Sequence, residues 1–110
     1  IDELVDLFVA DLVDGIDGFD YTGPIVRRTS HRAGLVKVAT SGSELDARDR
    51  RNLEAASQAS IRTGAPLLTH CEDGRGGLEQ VAWLTAAGIP SSAIVLSHVD
   101  KSDDAGYLLA

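Results

Sequence analysis

Three side chains that can bind metals or exchange protons lie within or at the end of short apolar runs. Lys37 lies inside the run GLVKVAT, His70 ends the run APLLTH, and His98 ends the run AIVLSH. Imidazole is the commonest metal ligand in proteins, and zinc accepts imidazole together with carboxylate oxygen. If the runs are neighbouring strands that end at the same edge, the sequence predicts a metal site that includes His70 and His98.

The apolar neighbours of Lys37, Leu35-Val36 and Val38-Ala39, predict a buried amine. A buried unpaired ammonium is costly, so the neutral form is favoured. A neutral amine can form a Schiff base with a carbonyl. It can also add carbon dioxide and become a carbamate, which is an anionic ligand with two oxygens. The alternative is a lysine near a strand end whose ammonium reaches water.

Other side chains close to these residues have predicted supporting roles. Cys71 follows His70 directly, and alternation along a strand turns its thiol away from that ring, so we predict that it is packed in the interior. Arg75 lies in a Gly-rich loop, predicted to be flexible, where it could contact an anionic substrate. Asp100 follows His98 closely enough to support the site through hydrogen bonds.

Apolar periodicity predicts alternating helices and strands. An amphipathic N-terminal helix stops near Gly15 or Gly18, and three strand–loop–helix units follow with a period of about 30 residues. The predicted strands are Gly34–Thr40, Ala65–His70 and Ala93–His98, and the predicted helices are Leu45–Thr63, Leu78–Ala87 and Ala105–Ala110. The turn Thr40–Ser43 offers N-cap residues for the first of these helices. This alternation predicts an α/β fold with a parallel sheet whose strands are buried on both faces.

Composition excludes several classes of protein. The chain has 110 residues, of which 44% are hydrophobic, and a net charge of −7. So acidic a chain is a poor candidate for binding nucleic acid. No apolar run approaches the roughly 20 residues of a membrane span. The single cysteine excludes an internal disulfide and favours a reducing, cytoplasmic location.

Three segments in this order carry a resemblance to a known family. They are RAGLVKVAT around Lys37, TGAPLLTH ending at His70, and SHVD around His98, with Asp103 and Tyr107 after it. They resemble the phosphotriesterase family of the amidohydrolase superfamily, which includes the phosphotriesterase-like lactonases. The resemblance implies a (β/α)8 TIM barrel. Residues 1–110 would form one partial domain, about strands 4–6 with their helices.

The resemblance also implies a chemistry. In the family, the lysine that matches Lys37 is carbamylated, as N6-carboxylysine, and bridges two divalent metals, usually zinc. The histidines that match His70 and His98 bind one of these metals. A metal-bridging hydroxide then hydrolyses lactones, organophosphate triesters, or both.

Three departures from the family pattern bear on activity. The chain has no His-x-His pair and no late strand-ending aspartate, both of which serve the family's metal centre. Lys101 stands where the family often has an aspartate. This lysine weakens an organophosphatase assignment and favours an anionic, for example phosphorylated, lactone.

A full barrel needs about 250 residues. We therefore expect the 110 residues to be a fragment of a longer hydrolase, inactive alone, or to assemble with other copies as a homo-oligomer. Two alternatives remain open from the sequence. One is a Schiff-base lyase or aldolase barrel that uses Lys37, and the other is a structural or binding fragment without metal.

Overall fold

Helices and strands alternate along the chain as the apolar pattern predicts. The computed structural model describes residues 1–110. The helices are α1 (Asp2–Val13), α2 (Ala47–Thr63), α3 (Gly77–Ala86) and α4 (Ala105–Leu109), and the strands are β1 (Val36–Thr40), β2 (Leu67–Cys71) and β3 (Ile94–Ser97). Short 3-10 turns lie at Glu72–Gly74, Ser91–Ala93 and Val99–Lys101. None of the helices combines the length and the apolar character that crossing a membrane requires.

The three strands form one parallel sheet in the order β1-β2-β3. Val36 pairs with Leu67, and Leu67 pairs with Ile94, so the three strands begin level with one another. Their carboxyl ends therefore meet at one edge of the sheet. Because helices connect successive strands, the predicted α/β class with a parallel sheet is confirmed.

The two faces of the sheet differ in burial. Val36, Val38 and Leu67 lie on the face that packs against the helices, where Leu53 and Leu84 complete the centre of the core. Burying a leucine side chain fully stabilises the fold by about 1.5–3 kcal/mol. The opposite face is exposed along β1. The prediction of burial on both faces is therefore wrong, because α1, α2 and α3 all contribute to the core on the same side.

Capping residues determine where α2 begins and ends. The side chain of Asp46 caps the helix by accepting a hydrogen bond from the backbone N–H of Asp49 at 2.7 Å. The predicted cap in the turn Thr40–Ser43 is wrong. Ser41 in that turn instead donates its hydroxyl and its backbone N–H to the Asp49 carboxylate. The helix ends at Gly64, as predicted, where φ is +75°.

The segment between α1 and β1 folds around the buried carboxylate of Asp17. This carboxylate accepts hydrogen bonds from the backbone N–H groups of Arg27 and Tyr21 at 2.6 and 2.7 Å. The bond from Arg27 is the main cause that holds the pKa of Asp17 below its ordinary value of 3.8. Arg28 ties the segment to α1 through a hydrogen bond to Asp11 at 2.9 Å.

Candidate active site

Lys37 and His70 project from the same face of the sheet. Alternation places Lys37 and Ala39 on the exposed face of β1, and Ala39 pairs with His70 of β2. His70 is therefore two residues closer than Lys37 to the carboxyl edge of the sheet. With the usual strand rise and spacing, the two Cα atoms are roughly 8 Å apart. Lys37 also lines a cavity beside α1, together with Phe8 and Leu12.

The ring of His70, near the end of β2, meets the ring of His98, which directly follows β3. Their centroids are 4.7 Å apart and their planes are inclined by 67°. His70 pairs with Ser97, so in a continued strand His98 would point to the helix-covered face. A left-handed backbone conformation at His98, with φ of 68°, interrupts this alternation. Such a conformation costs an L-residue about 1–2 kcal/mol.

The Gly-rich loop after β2 packs against the turn at His98. A Cβ atom on Gly74 would lie 2.9 Å from the carbonyl oxygen of His98 and 2.8 Å from the backbone nitrogen of Ser102. Gly74 itself has a φ of +74°. A side chain at this position would push the His98 turn away. The structure thus gives this glycine a packing role.

Glu72 is a neighbour of His70 that the sequence did not predict. Its Oε2 lies 2.9 Å from Nε2 of His70. This hydrogen bond is the main cause that lowers the pKa of Glu72, and the charges of Lys101 and His98 lower it further. An ionised carboxylate only accepts hydrogen bonds, so Nε2 of His70 is the donor. Glu72 opens the 3-10 turn directly after β2, so strand alternation does not place its side chain and no signal in the sequence identifies it.

Lys37 is exposed, which contradicts the predicted burial of its amine. Val95, on the same face of the sheet, is 55% exposed. These residues therefore do not impose the desolvation that was expected to neutralise the amine. The position of Lys37 on a strand is as predicted, and the error lies in assuming a second covering layer.

Cys71 lies on the helix-covered face, turned away from His70 as strand alternation predicts. It is fully buried, and its thiol donates a weak hydrogen bond to Oε1 of Gln80 at 3.4 Å. Burial raises the pKa of the thiol. Cys71 is therefore a packed residue of the interior.

The predicted substrate-side residues lie in different places. Asp100 and Lys101 form the exposed 3-10 turn directly after His98, and the side chain of Asp100 forms no hydrogen bond to either imidazole. Arg75 instead lines a cavity of about 320 Å³ that neither imidazole lines. Lys101 thus lies in the turn directly after His98, where its charge acts on Glu72, whereas Arg75 lines a separate cavity.

Comparison with known proteins decides the family. The sequence model of the phosphotriesterase family matches residues 1–110. The chain belongs to that family. Among the relatives of this phosphotriesterase-family chain, the phospho-furanose lactonase of Mycoplasmopsis agalactiae is 36% identical over 106 residues. The aryldialkylphosphatase of Saccharolobus solfataricus is 31% identical over 109 residues. These alignments cover 96% and 98% of this chain but only 30% and 32% of the relatives.

Solved structures of the family superpose closely on the chain. An amidohydrolase from Mycoplasma synoviae matches with a TM-score of 0.93 and 34% identity, over 98% of this chain and 31% of that protein. The phosphotriesterase homology protein of Escherichia coli, complexed with phosphate in its active site, matches with a TM-score of 0.84 and 30% identity, over 97% and 34%. The chain therefore spans about a third of the proteins it matches, and its fold corresponds to that share of their barrel.

The donor atoms of the chain fit part of a divalent metal site of the kind this family uses. Two imidazoles with ring centroids 4.7 Å apart are suitable neighbours for one ion. The residues include no group of three or more His, Cys, Asp and Glu side chains that could hold a metal. Lys37 lies on the same face and would add oxygen donors only as a carbamate. His70 and His98 thus fit as two members of a larger donor set.

Proposed function

We propose that the full-length protein is a metal-dependent hydrolase that opens lactones and hydrolyses organophosphate triesters more weakly. The observation that carries the proposal is the pair of imidazole rings of His70 and His98, 4.7 Å apart at the carboxyl edge of a parallel sheet. Active sites of barrels lie at this edge. Relatives named phospho-furanose lactonase and aryldialkylphosphatase support the two reaction classes.

In this proposal, His70, His98 and a carbamylated Lys37 hold the metals, most simply two zinc ions in the complete protein. Bound metal supplies Lewis acidity toward the carbonyl or phosphoryl oxygen and lowers the pKa of water. Glu72 keeps the proton of His70 on Nε2 through the 2.9 Å hydrogen bond. In that tautomer Nδ1 has a free lone pair, so Nδ1 is the atom of His70 that would bind the metal.

The test compares the three histidines of the chain in the full-length protein. His70→Asn and His98→Asn are expected to abolish lactone hydrolysis and to lower the bound metal measured by elemental analysis. His31→Asn is the matched control, because His31 is exposed in the segment before β1. A wild-type protein without bound metal, or an adduct at Lys37 after borohydride reduction with substrate, would refute the proposal.

We further propose that the substrate is anionic and that Lys101 binds its anionic group, such as a phosphate. Lys101 is exposed in the turn directly after His98, and its charge acts on Glu72. A charge-assisted hydrogen bond contributes about 1.5–3 kcal/mol. Lys101→Ala should therefore reduce kcat/KM for a phosphorylated sugar lactone roughly 10- to 100-fold and spare its unphosphorylated analogue. Arg75→Ala is the control, and an equal loss on both lactones would reject the role of Lys101.

A further inference from the structure

Gln80 is a fully buried polar side chain that the proposed site does not use. It lies in the first turns of α3, on the helix-covered side of the sheet. Its Nε2 donates hydrogen bonds to Oγ1 of Thr40 at 2.6 Å and to the backbone oxygen of His70 at 3.1 Å. Its Oε1 accepts the weak bond from the thiol of Cys71. One amide therefore joins the last residue of β1 to the last two residues of β2.

The hydrogen bonds of Gln80 have a role beyond filling space in the core. Burying an amide is unfavourable unless its hydrogen bonds are made inside the protein. An apolar side chain of the same volume would fill the space without that requirement. Of the groups that Gln80 binds, only the backbone of His70 carries a side chain into the site. The bond reaches His70 from the face opposite to its ring.

We propose that Gln80 is a positioning residue for His70. By holding the His70 carbonyl, it fixes the end of β2 and thereby sets the height and direction of the imidazole relative to His98. The proposal rests on the proposed function in one respect, namely that the positioned ring is a metal ligand. Residues that orient metal ligands typically change metal affinity roughly 10- to 100-fold when they are replaced.

The experiment uses the full-length protein and the variant Gln80→Met, which keeps the volume of the side chain and removes its donors. Zinc affinity, measured by competition with a chelator, is expected to fall roughly 10- to 100-fold. The matched control is Gln58→Met. The amide of Gln58 donates to Glu54 within α2 at 2.9 Å and makes no hydrogen bond to the sheet. An unchanged zinc affinity in Gln80→Met would overturn the proposal.

A second variant separates positioning from stability. Gln80→Met leaves the Thr40 hydroxyl without its donor, which itself destabilises the fold. Thr40→Val/Gln80→Met removes that hydroxyl and is expected to recover the midpoint of thermal unfolding while zinc affinity stays low. Recovery of affinity together with stability, or failure of the double variant to fold, would assign Gln80 a structural role only and overturn the proposal.

Failure of the proposed function gives a different result. In that case the wild-type protein binds no zinc, or His70→Asn binds it unchanged. The positioning role is then tested by comparing the NMR chemical shifts of the His70 imidazole between the wild type and the variants. A shift in Gln80→Met but not in Gln58→Met supports positioning, and unchanged signals in both variants overturn it.

Discussion

Replacing Gly76 with alanine tests the packing of the loops around the candidate site. Gly76 has a φ of +83°, and a Cβ atom there would lie 2.2 Å from the carbonyl oxygen of Gly42. Gly64, at the end of α2, has a φ of +75°, and a Cβ atom added there would have no neighbour within 4 Å. The two positions therefore differ little in backbone conformation and strongly in steric contact. Gly64→Ala is the matched control for Gly76→Ala.

The expected magnitudes follow from this difference. A left-handed conformation costs alanine about 1–2 kcal/mol. Alanine also leaves the unfolded chain less conformational freedom than glycine does, which offsets about 0.4–1 kcal/mol of this cost. Gly64→Ala should therefore lower the free energy of unfolding by about 0.5–1 kcal/mol. The clash at Gly76 adds the cost of overpacking, about 1–3 kcal/mol, so Gly76→Ala should lose about 1.5–4 kcal/mol.

Urea denaturation of the two variants and the wild type measures both values. A larger loss in Gly76→Ala would show that the loop after β1 lies against the loop after β2. Equal losses in the two variants, or a smaller loss in Gly76→Ala, would refute the placement of these loops.

Three further predictions concern the core, the pH dependence and the thiol. Leu53→Ala should lower the free energy of unfolding by about 2–5 kcal/mol because Leu53 is fully buried, whereas the change at Ile61, 58% exposed on the same helix, should be much smaller. The lowered pKa of Asp17 means that its stabilisation is present above the ordinary value of 3.8 and is lost as the pH falls through the folded value. Asp17→Asn should therefore weaken the pH dependence of the unfolding midpoint in this acidic range, and Asp14→Asn, at an exposed position, should not. Cys71 is buried with a raised thiol pKa, so a thiol reagent should modify it far more slowly in the native protein than in urea, and equal rates would contradict its placement.

Local patterns in the sequence predicted the elements and their order. Gly64 and Gly88 end helices through left-handed conformations, and short apolar runs became parallel strands as predicted. Strand alternation also predicted that Cys71 turns away from His70. These features depend on neighbouring residues and on backbone geometry, so the sequence contains the information directly.

The remaining features depend on contacts between distant residues. Burial of Lys37 required a layer over the second face of the sheet, and an apolar run alone does not say which faces are covered. The meeting of His98 with His70 depends on a left-handed residue packed against Gly74. Glu72 reaches His70 only because the chain turns immediately after β2. No periodic pattern in the sequence encodes these arrangements.

We propose that Lys37, His70 and His98 serve one metal site. A crystal structure of the full-length protein, grown with zinc and phased by anomalous scattering from the metal, would locate the ion. We expect zinc bonded to both imidazoles at about 2.0–2.1 Å, with oxygen donors from a carbamate on Lys37. Zinc bound away from both rings, or an unmodified Lys37 ammonium directed into solvent in that protein, would refute the shared metal site.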